Sequence, residues 1–152
     1  MLQDTIEEQA VIETERLTLR PLRASDAGLV TMYAGDARVA QNTRSIPHPL
    51  PPGASAAFIA RAQASHRSED IWALDAVKVA LSELLGIIAL ERIDTGKSEI
   101  GYWVAPDFWN TGFATEAVAG LLKANPQQVE TVYAEVFQSN PISARVLTNV
   151  GF

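Results

Sequence analysis

Residues 101–117 constrain the fold of this chain more than any other stretch. Residues 101–104 are typical of a strand, and a short loop then leads into a helix that opens on Gly112 and Ala114. The start of a helix carries backbone N–H groups that have no intrahelical partner, and the aligned peptide dipoles add partial positive charge there. Small residues let an anion approach that backbone closely. The pattern therefore predicts a strand–loop–helix unit able to bind a diphosphate.

Composition excludes several classes of protein. The chain has 152 residues, is 47% hydrophobic and carries a net charge of −6. This charge argues against a general binder of nucleic acid or of anionic membranes, because such binding needs clustered Lys and Arg. There is no Cys for a disulfide or a thiolate metal site, and His48 and His66 are too few for a metal cluster. We expect no metal, and a cytoplasmic location by default, since no signal peptide or membrane-spanning run is evident.

The order of predicted elements gives the fold class. Strands are predicted at residues 16–20, 71–79, 84–93, 99–104 and 131–137. Helices are predicted after a cap at Ser25, at 54–65, at 112–124 and from about Asn140. The two strands around Ser82 and Glu83 form a hairpin. This order predicts an α/β (α+β) fold with a mixed, mostly antiparallel sheet and helices on both faces. We expect one domain spanning residues 1–152, of which 1–13 form a loose lead-in.

Four stretches resemble the GNAT superfamily of acyl-CoA-dependent N-acyltransferases, and most closely its RimJ/RimL-like branch, which includes protein N-terminal acetyltransferases. They are residues 15–27, 46–59, 99–117 and 140–152. The resemblance implies transfer of an acetyl group from acetyl-CoA to a primary amine, which attacks the thioester directly. The acceptor is then a protein N-terminus, an amino acid or a small amine.

The resemblance also implies a set of residues that bind acetyl-CoA. The diphosphate loop of the family corresponds here to Trp109, Asn110, Thr111, Gly112, Phe113, Ala114 and Thr115. Trp109 replaces the usual Gln or Arg and Asn110 a frequent Gly, so backbone donors become more important. Tyr102, Trp103 and Val104 would pair with the pantetheine arm, with help from Asn140.

Catalytic roles are likewise implied by the resemblance. The thioester oxygen would be stabilised by backbone N–H groups near Val104 and Ala105. Many members place a Tyr seven residues after the Asn, but here that position is Leu147, so Ser143 is the expected acid. Glu99 is the expected base, with Glu91 or a water relay as the competitor.

Each of these residues also has a plainer interpretation. Gly112 and Ala114 also suit tight helix packing, Asn140 is a good helix cap, and Glu99 on a strand face is commonly solvated. Trp103 and Trp109 suit core and loop packing. Arg16 and Arg20 are expected to face solvent or to pair with acids.

The family fold normally continues past the closing Gly-Phe with two more strands, whereas this sequence stops at Phe152. We therefore expect the edge of strand 131–137 to be covered, most simply in a homodimer. The departures at Trp109, Asn110 and Leu147 keep an alternative open, namely a catalytically impaired CoA-binding or interaction module. A poorly folding fragment is a third possibility.

Overall fold

The computed structural model describes residues 9–40, 46 and 48–134. The described strands are β1 Ile12–Glu13, β2 Thr18–Pro21, β3 Glu69–Asp75, β4 Gly86–Asp94, β5 Lys97–Val104 and β6 Thr131–Ala134. The described helices are α1 Ala27–Ala34, α2 Ala37–Ala40, α3 Ala54–Gln63 and α4 Phe113–Ala124. Short 3₁₀ turns lie at Ala24–Asp26, Val77–Val79 and Pro106–Phe108.

The six strands form one sheet in which spatial order follows chain order. Neighbours pair antiparallel from β1 to β5, and β5 pairs with β6 in parallel. A parallel pair needs a crossover connection, which α4 supplies. The arrangement confirms the predicted mixed sheet and the hairpin of β3 and β4.

Side-chain alternation divides the interior into two cores. On β3, Trp72 and Leu74 face the core under α4, whereas Ile71 and Ala73 face the core under α1 and α3. The same alternation continues along β4 and β5. Helices therefore cover both faces of the sheet, as the sequence predicts.

Helix α4 packs through one apolar stripe, whose members are spaced as one face of a helix requires. Phe113, Ala117 and Leu121 are buried in the core that α4 shares with the sheet. An ideal Cβ on Gly120 would lie 2.6 Å from Cγ2 of Thr14, so a glycine there lets α4 approach the segment beside β1. The second half of α4 is thereby held close to the segment between β1 and β2.

A buried ion cluster centred on Arg20 joins β2, β3 and the turn before α1. Its guanidinium donates to both carboxylate oxygens of Asp26 (3.0 and 2.9 Å), to Asp75 (2.8 Å) and to the Glu83 carbonyl (2.8 Å). Burial alone would lower the pKa of Arg20, but the two carboxylates outweigh it and raise the pKa. Arg20 thus pairs with acids, one of the two outcomes expected.

Two local predictions are wrong. The helix cap expected at Ser25 is absent: Ser25 lies inside the turn Ala24–Asp26, and Asp26 accepts the backbone N–H of Arg23 instead (2.7 Å). The strand expected to reach Val79 ends at Asp75, whose carboxylate accepts the N–H of Val77 (2.9 Å) and turns the chain into a 3₁₀ turn. In both cases an aspartate side chain takes a backbone donor.

Residues 9–13, expected to belong to a loose lead-in, are held against the sheet. The Gln9 amide donates to the Ile71 carbonyl (2.7 Å), and the Trp72 indole donates to the Ala10 carbonyl (2.7 Å). Ile12 is buried in β1. The ordered sheet therefore begins earlier than predicted.

Some predictions lie outside the described residues: strand 131–137 beyond Ala134, the last helix, Asn140, Ser143 and Leu147. The homodimer stays a prediction. Within the part of the chain that the structure describes, no helix is long and apolar enough to cross a membrane.

Candidate active site

The end of β5 exposes main-chain groups on the side away from β4. Gly86 faces Val104 across the two strands, and the N–H of Ala105 donates to the Leu85 carbonyl (2.8 Å). This bond makes Gly86 and Val104 a non-hydrogen-bonded pair, so the N–H and C=O of Val104 point away from β4. They point to the side where β6 lies, but the described part of β6 reaches only Ala134, opposite Ile100.

This pairing narrows the donors expected for the thioester oxygen. The Ala105 N–H is engaged by Leu85 and is not directed at a ligand site. Val104 keeps its N–H on the open side of the strand. Of the two expected donors, Val104 is therefore the one the geometry favours.

Glycine at position 86 is required by the close approach of β4 and β5. An ideal Cβ there would lie 2.4 Å from the carbonyl oxygen of Trp103, a distance that real Cβ atoms do not show. The Trp103 side chain packs against the core under α1 and α3, and its main chain faces β4. Trp103 therefore supports the strand end from the opposite face, in line with its plainer interpretation.

Trp109 anchors the loop to the strand. Its indole N–H donates to the Val104 carbonyl (2.7 Å), and its ring packs against the core under α4. The side chain is thus bound to the sheet, which explains how the loop keeps its shape without the usual Gln or Arg.

The start of α4 carries several unpartnered donors. Asn110 and Gly112 take left-handed φ values of 62° and 85°, and the first helical bond runs from the Glu116 N–H to the Gly112 carbonyl (3.0 Å). The N–H groups of Phe113, Ala114 and Thr115 have no acceptor among the described residues. Three donors at the positive end of a helix dipole suit an anion.

Phe113 fixes the direction of these donors. Its ring is buried and meets the Phe108 ring edge-on, with centroids 6.2 Å apart. The Thr111 hydroxyl donates to the Phe108 carbonyl. The loop between β5 and α4 is therefore tied down on its inner side, while its N–H groups face outward.

Arg16 pairs with an acid, one of the two outcomes expected for it, but its partner Glu116 is not singled out by any sequence pattern. The Glu116 carboxylate accepts from Thr14 Oγ1 (2.5 Å), from the Arg16 backbone N–H (2.6 Å) and from Arg16 Nε (2.7 Å). Burial alone would raise the pKa of Glu116, but these bonds outweigh it and lower the pKa. An acid in the first turn of an anion-binding helix is a signal that a cation should be sought nearby.

A row of carboxylates crosses the sheet on the face covered by α1 and α3. Glu69 faces Glu91, and Glu91 faces Glu99, so three acids stand side by side on β3, β4 and β5. The bond from the Arg92 N–H to the Ser68 carbonyl (2.8 Å) makes Glu69 and Glu91 a close, non-hydrogen-bonded pair. Burial raises the pKa of Glu69, and the Glu91 charge raises it further.

The carboxylate row includes both residues considered as the base, Glu99 and Glu91, and adds Glu69. Glu99 and Val104 are five residues apart along β5, which corresponds to roughly 16 Å at the rise of a strand. A proton lost near Val104 would therefore reach Glu99 through water and not by direct contact. Among the described residues, no group of three or more His, Cys, Asp or Glu side chains could hold a metal ion.

Comparison with known proteins shows the family of this chain. A family model described as an acetyltransferase (GNAT) domain matches residues 16–152. YoaA of Bacillus subtilis (strain 168), named as an uncharacterized N-acetyltransferase, is 26% identical over 155 residues, which cover 93% of this chain and 82% of YoaA.

Solved structures share the fold. RimJ of Mycobacterium smegmatis in complex with CoA-disulfide has a TM-score of 0.79 at 22% identity, covering 95% of this chain and 76% of RimJ. Spermidine N-acetyltransferase of Vibrio cholerae in complex with CoA and spermine has a TM-score of 0.75 at 17% identity, covering 90% of this chain and 80% of that enzyme. The family model spans the strand, the loop and α4, and the chain therefore belongs to the GNAT family of acetyltransferases.

Proposed function

We propose that this protein transfers an acetyl group from acetyl-CoA to a primary amine by direct attack of the amine on the thioester. The observation that carries the proposal is the set of outward N–H groups at Phe113, Ala114 and Thr115, which have no acceptor among the described residues. The loop 105–112 separates them in the chain from a strand whose last residue, Val104, points its N–H away from β4. Acetyl-CoA would supply both the diphosphate and the activated acetyl group.

The diphosphate would be held by the main chain at the start of α4. Gly112 has no Cβ to obstruct phosphate oxygens, and its φ of 85° is one that other residues rarely adopt. The neighbouring Asn110 tolerates its own left-handed conformation better than most residues do. This support does not depend on a basic side chain at position 109.

The pantetheine arm would extend along the open side of β5, beside Tyr102 and Val104. In this position the Val104 N–H would donate to the thioester oxygen as negative charge develops on it. The Trp109 indole already occupies the Val104 carbonyl, so the N–H is the group of that residue left to act (2.7 Å). Asn140 and Ser143 keep their expected roles, in binding the arm and in protonating the leaving thiolate.

The carboxylate row supports an amine as the acceptor. Acids placed directly opposite one another on neighbouring strands repel. The Arg61 charge lowers the pKa of Glu69, but burial and the Glu91 charge outweigh it, so the row still favours a further cation nearby. An ammonium group is such a cation, and Glu99, with Glu91 and water, would accept the proton that the amine loses. The Vibrio cholerae relative contains spermine, a polyamine, which is consistent with a cationic acceptor.

Calorimetry with acetyl-CoA, paired with a thiol-release assay over a panel of amines, tests the proposal. We expect binding and turnover on at least one primary amine. Binding without turnover on any amine would favour the CoA-binding or interaction module, and failure to bind would remove both functions.

Variants make the residue roles testable. Gly112→Val should raise the dissociation constant for acetyl-CoA strongly, whereas Gly28→Val in α1, where an added Cβ meets nothing within 4 Å, should leave it unchanged. Glu99→Gln should shift the pH–rate profile if Glu99 is the base, and Ser143→Ala should lower turnover more than binding. Unaltered behaviour would exclude the residue concerned.

A further inference from the structure

Arg16 lies against the loop that precedes α4, although it is about a hundred residues away in the sequence. Its Cζ atom is 4.0 Å from the centroid of the Phe113 ring, and its Nη1 donates to the Thr111 carbonyl (3.1 Å). An ideal Cβ on Gly112 would lie 3.2 Å from its Nη2. The guanidinium therefore sits beside the backbone that presents the outward N–H groups.

The hydrogen bonds of Arg16 leave one of its nitrogens available. Nε is paired with Glu116 (2.7 Å) and Nη1 with Thr111, while Nη2 has no acceptor among the described residues. The Arg16 side chain is 34% exposed and that of Glu116 is 16% exposed. The guanidinium is thus oriented by protein contacts on one side and still accessible on the other.

The loop itself lacks a positive side chain. Residues 109–115 contain neither Lys nor Arg, and the position where the family usually has Gln or Arg is Trp109. Trp109 is bound to the Val104 carbonyl and cannot take over that role. A diphosphate carries two negative charges, and charge-assisted hydrogen bonds from Arg are the strong form of phosphate recognition.

We propose that Arg16, oriented by Glu116 and by the Phe113 ring, is the cationic side chain that binds the diphosphate of acetyl-CoA at the start of α4. The inference rests on the proposed function. The segment between β1 and β2 then supplies the positive side chain that residues 109–115 lack. Glu116 acts here as a positioning residue.

The test measures the affinity of three ligands by calorimetry: CoA, dephospho-CoA and pantetheine. The first two share the diphosphate, and pantetheine lacks it. Arg16→Gln removes the charge, Arg16→Lys keeps it without the planar fork, and Arg92→Gln is the matched control. Arg92 is exposed and makes its ion pair with Asp70 (3.6 Å) near the opposite end of β5, beside Ser98.

Arg16→Gln should weaken binding of CoA and dephospho-CoA by roughly ten- to hundredfold, the range for a charged hydrogen bond. Pantetheine binding should stay the same, Arg16→Lys should fall between, and Arg92→Gln should match the wild type. The affinity of the wild type for dephospho-CoA should also decrease more steeply with salt than that of Arg16→Gln.

Three results would overturn the inference. In one, only CoA binding is weakened, which would place Arg16 at the 3′-phosphate. In another, all three ligands are weakened together with a drop in Tm, which would make Arg16 structural. In the last, no ligand is affected. A wild-type protein that binds none of the ligands would instead refute the proposed function itself.

Discussion

Arg16 and Arg20 lie four residues apart, on either side of the start of β2, and each pairs with a carboxylate from a distant part of the chain, Glu116 and Asp75 respectively. Arg20 is almost fully enclosed, and every nitrogen of its guanidinium has an acceptor. Arg16 is one-third exposed and keeps Nη2 without an acceptor among the described residues. The same side chain thus stabilises the fold where its donors are all used, and can serve a ligand where one remains.

Among these variants, Arg20→Met should cause the largest loss in the free energy of unfolding. Removing this cation leaves the carboxylates of Asp26 and Asp75 without an ion-pair partner at a site where Asp26 is fully buried and Asp75 largely so, and we therefore expect a loss of about 3–5 kcal/mol in the free energy of unfolding. Urea denaturation measures it, with Arg92→Gln as the exposed control. A loss below about 1 kcal/mol would show that the enclosed cluster contributes no more than a surface pair.

Acidification should affect wild type and Arg20→Met in opposite directions. Burial alone would raise the pKa of Asp26, but the bonds from Arg20 outweigh it and lower the pKa. The stabilisation from Asp26 is therefore present above its unfolded pKa of about 3.9 and is lost as the pH falls through the folded value. In Arg20→Met the unpaired Asp26 should have a raised pKa, so that variant loses stability as the pH increases. The difference in unfolding free energy should narrow between pH 7 and pH 3, and a constant difference would contradict this.

Gly112→Ala tests the loop residue that lies beside Arg16. The positive φ disfavours any Cβ by about 1–2 kcal/mol, and the added atom would lie 3.2 Å from Arg16 Nη2. We expect weaker binding of CoA together with a modest loss of stability, measured by calorimetry and by urea denaturation. Gly28→Ala is the control, and equal effects at the two glycines would argue against a special conformation at Gly112.

The smallest stability effect should come from Arg16→Gln. Its ion pair with Glu116 is partly exposed, and such pairs typically contribute about 1 kcal/mol or less. The unfolding free energy should therefore decrease by no more than about 1 kcal/mol, although CoA binding decreases clearly. A stability loss as large as that of Arg20→Met would remove the distinction between the two arginines.

The sequence predicted those features of the fold that depend on residues close together in the chain. The helix predicted at 112–124 and the strand predicted at 99–104 were both confirmed, because helical spacing of Phe113, Ala117 and Leu121 and the alternation along β5 are local patterns. The Glu69–Glu91–Glu99 row depends on the register of three strands, which no local pattern fixes. The same limit applied to Arg16, whose partners Thr111 and Glu116 are brought to it only by the packing of α4.

Competition between two neighbouring residues explains why the predicted helix cap was wrong. Ser25 and Asp26 are both good caps by residue type, and the choice depends on Arg20, which draws Asp26 into the interior. For the thioester site, the sequence indicated the strand end but could not distinguish Val104 from Ala105. The bond from Ala105 to Leu85 made that distinction, because it depends on how β4 and β5 pair.

Two of the three tryptophans, Trp72 and Trp109, lie in different surroundings and can report on different events by their intrinsic fluorescence. Trp72 is fully enclosed and donates to the Ala10 carbonyl, so soluble quenchers should not reach its emission until the chain unfolds. Trp109 is partly exposed at the mouth of the proposed site, with its indole bonded to the residue beside which the thioester would lie. A single quenching titration can therefore follow occupancy and unfolding as separate signals, without any attached dye.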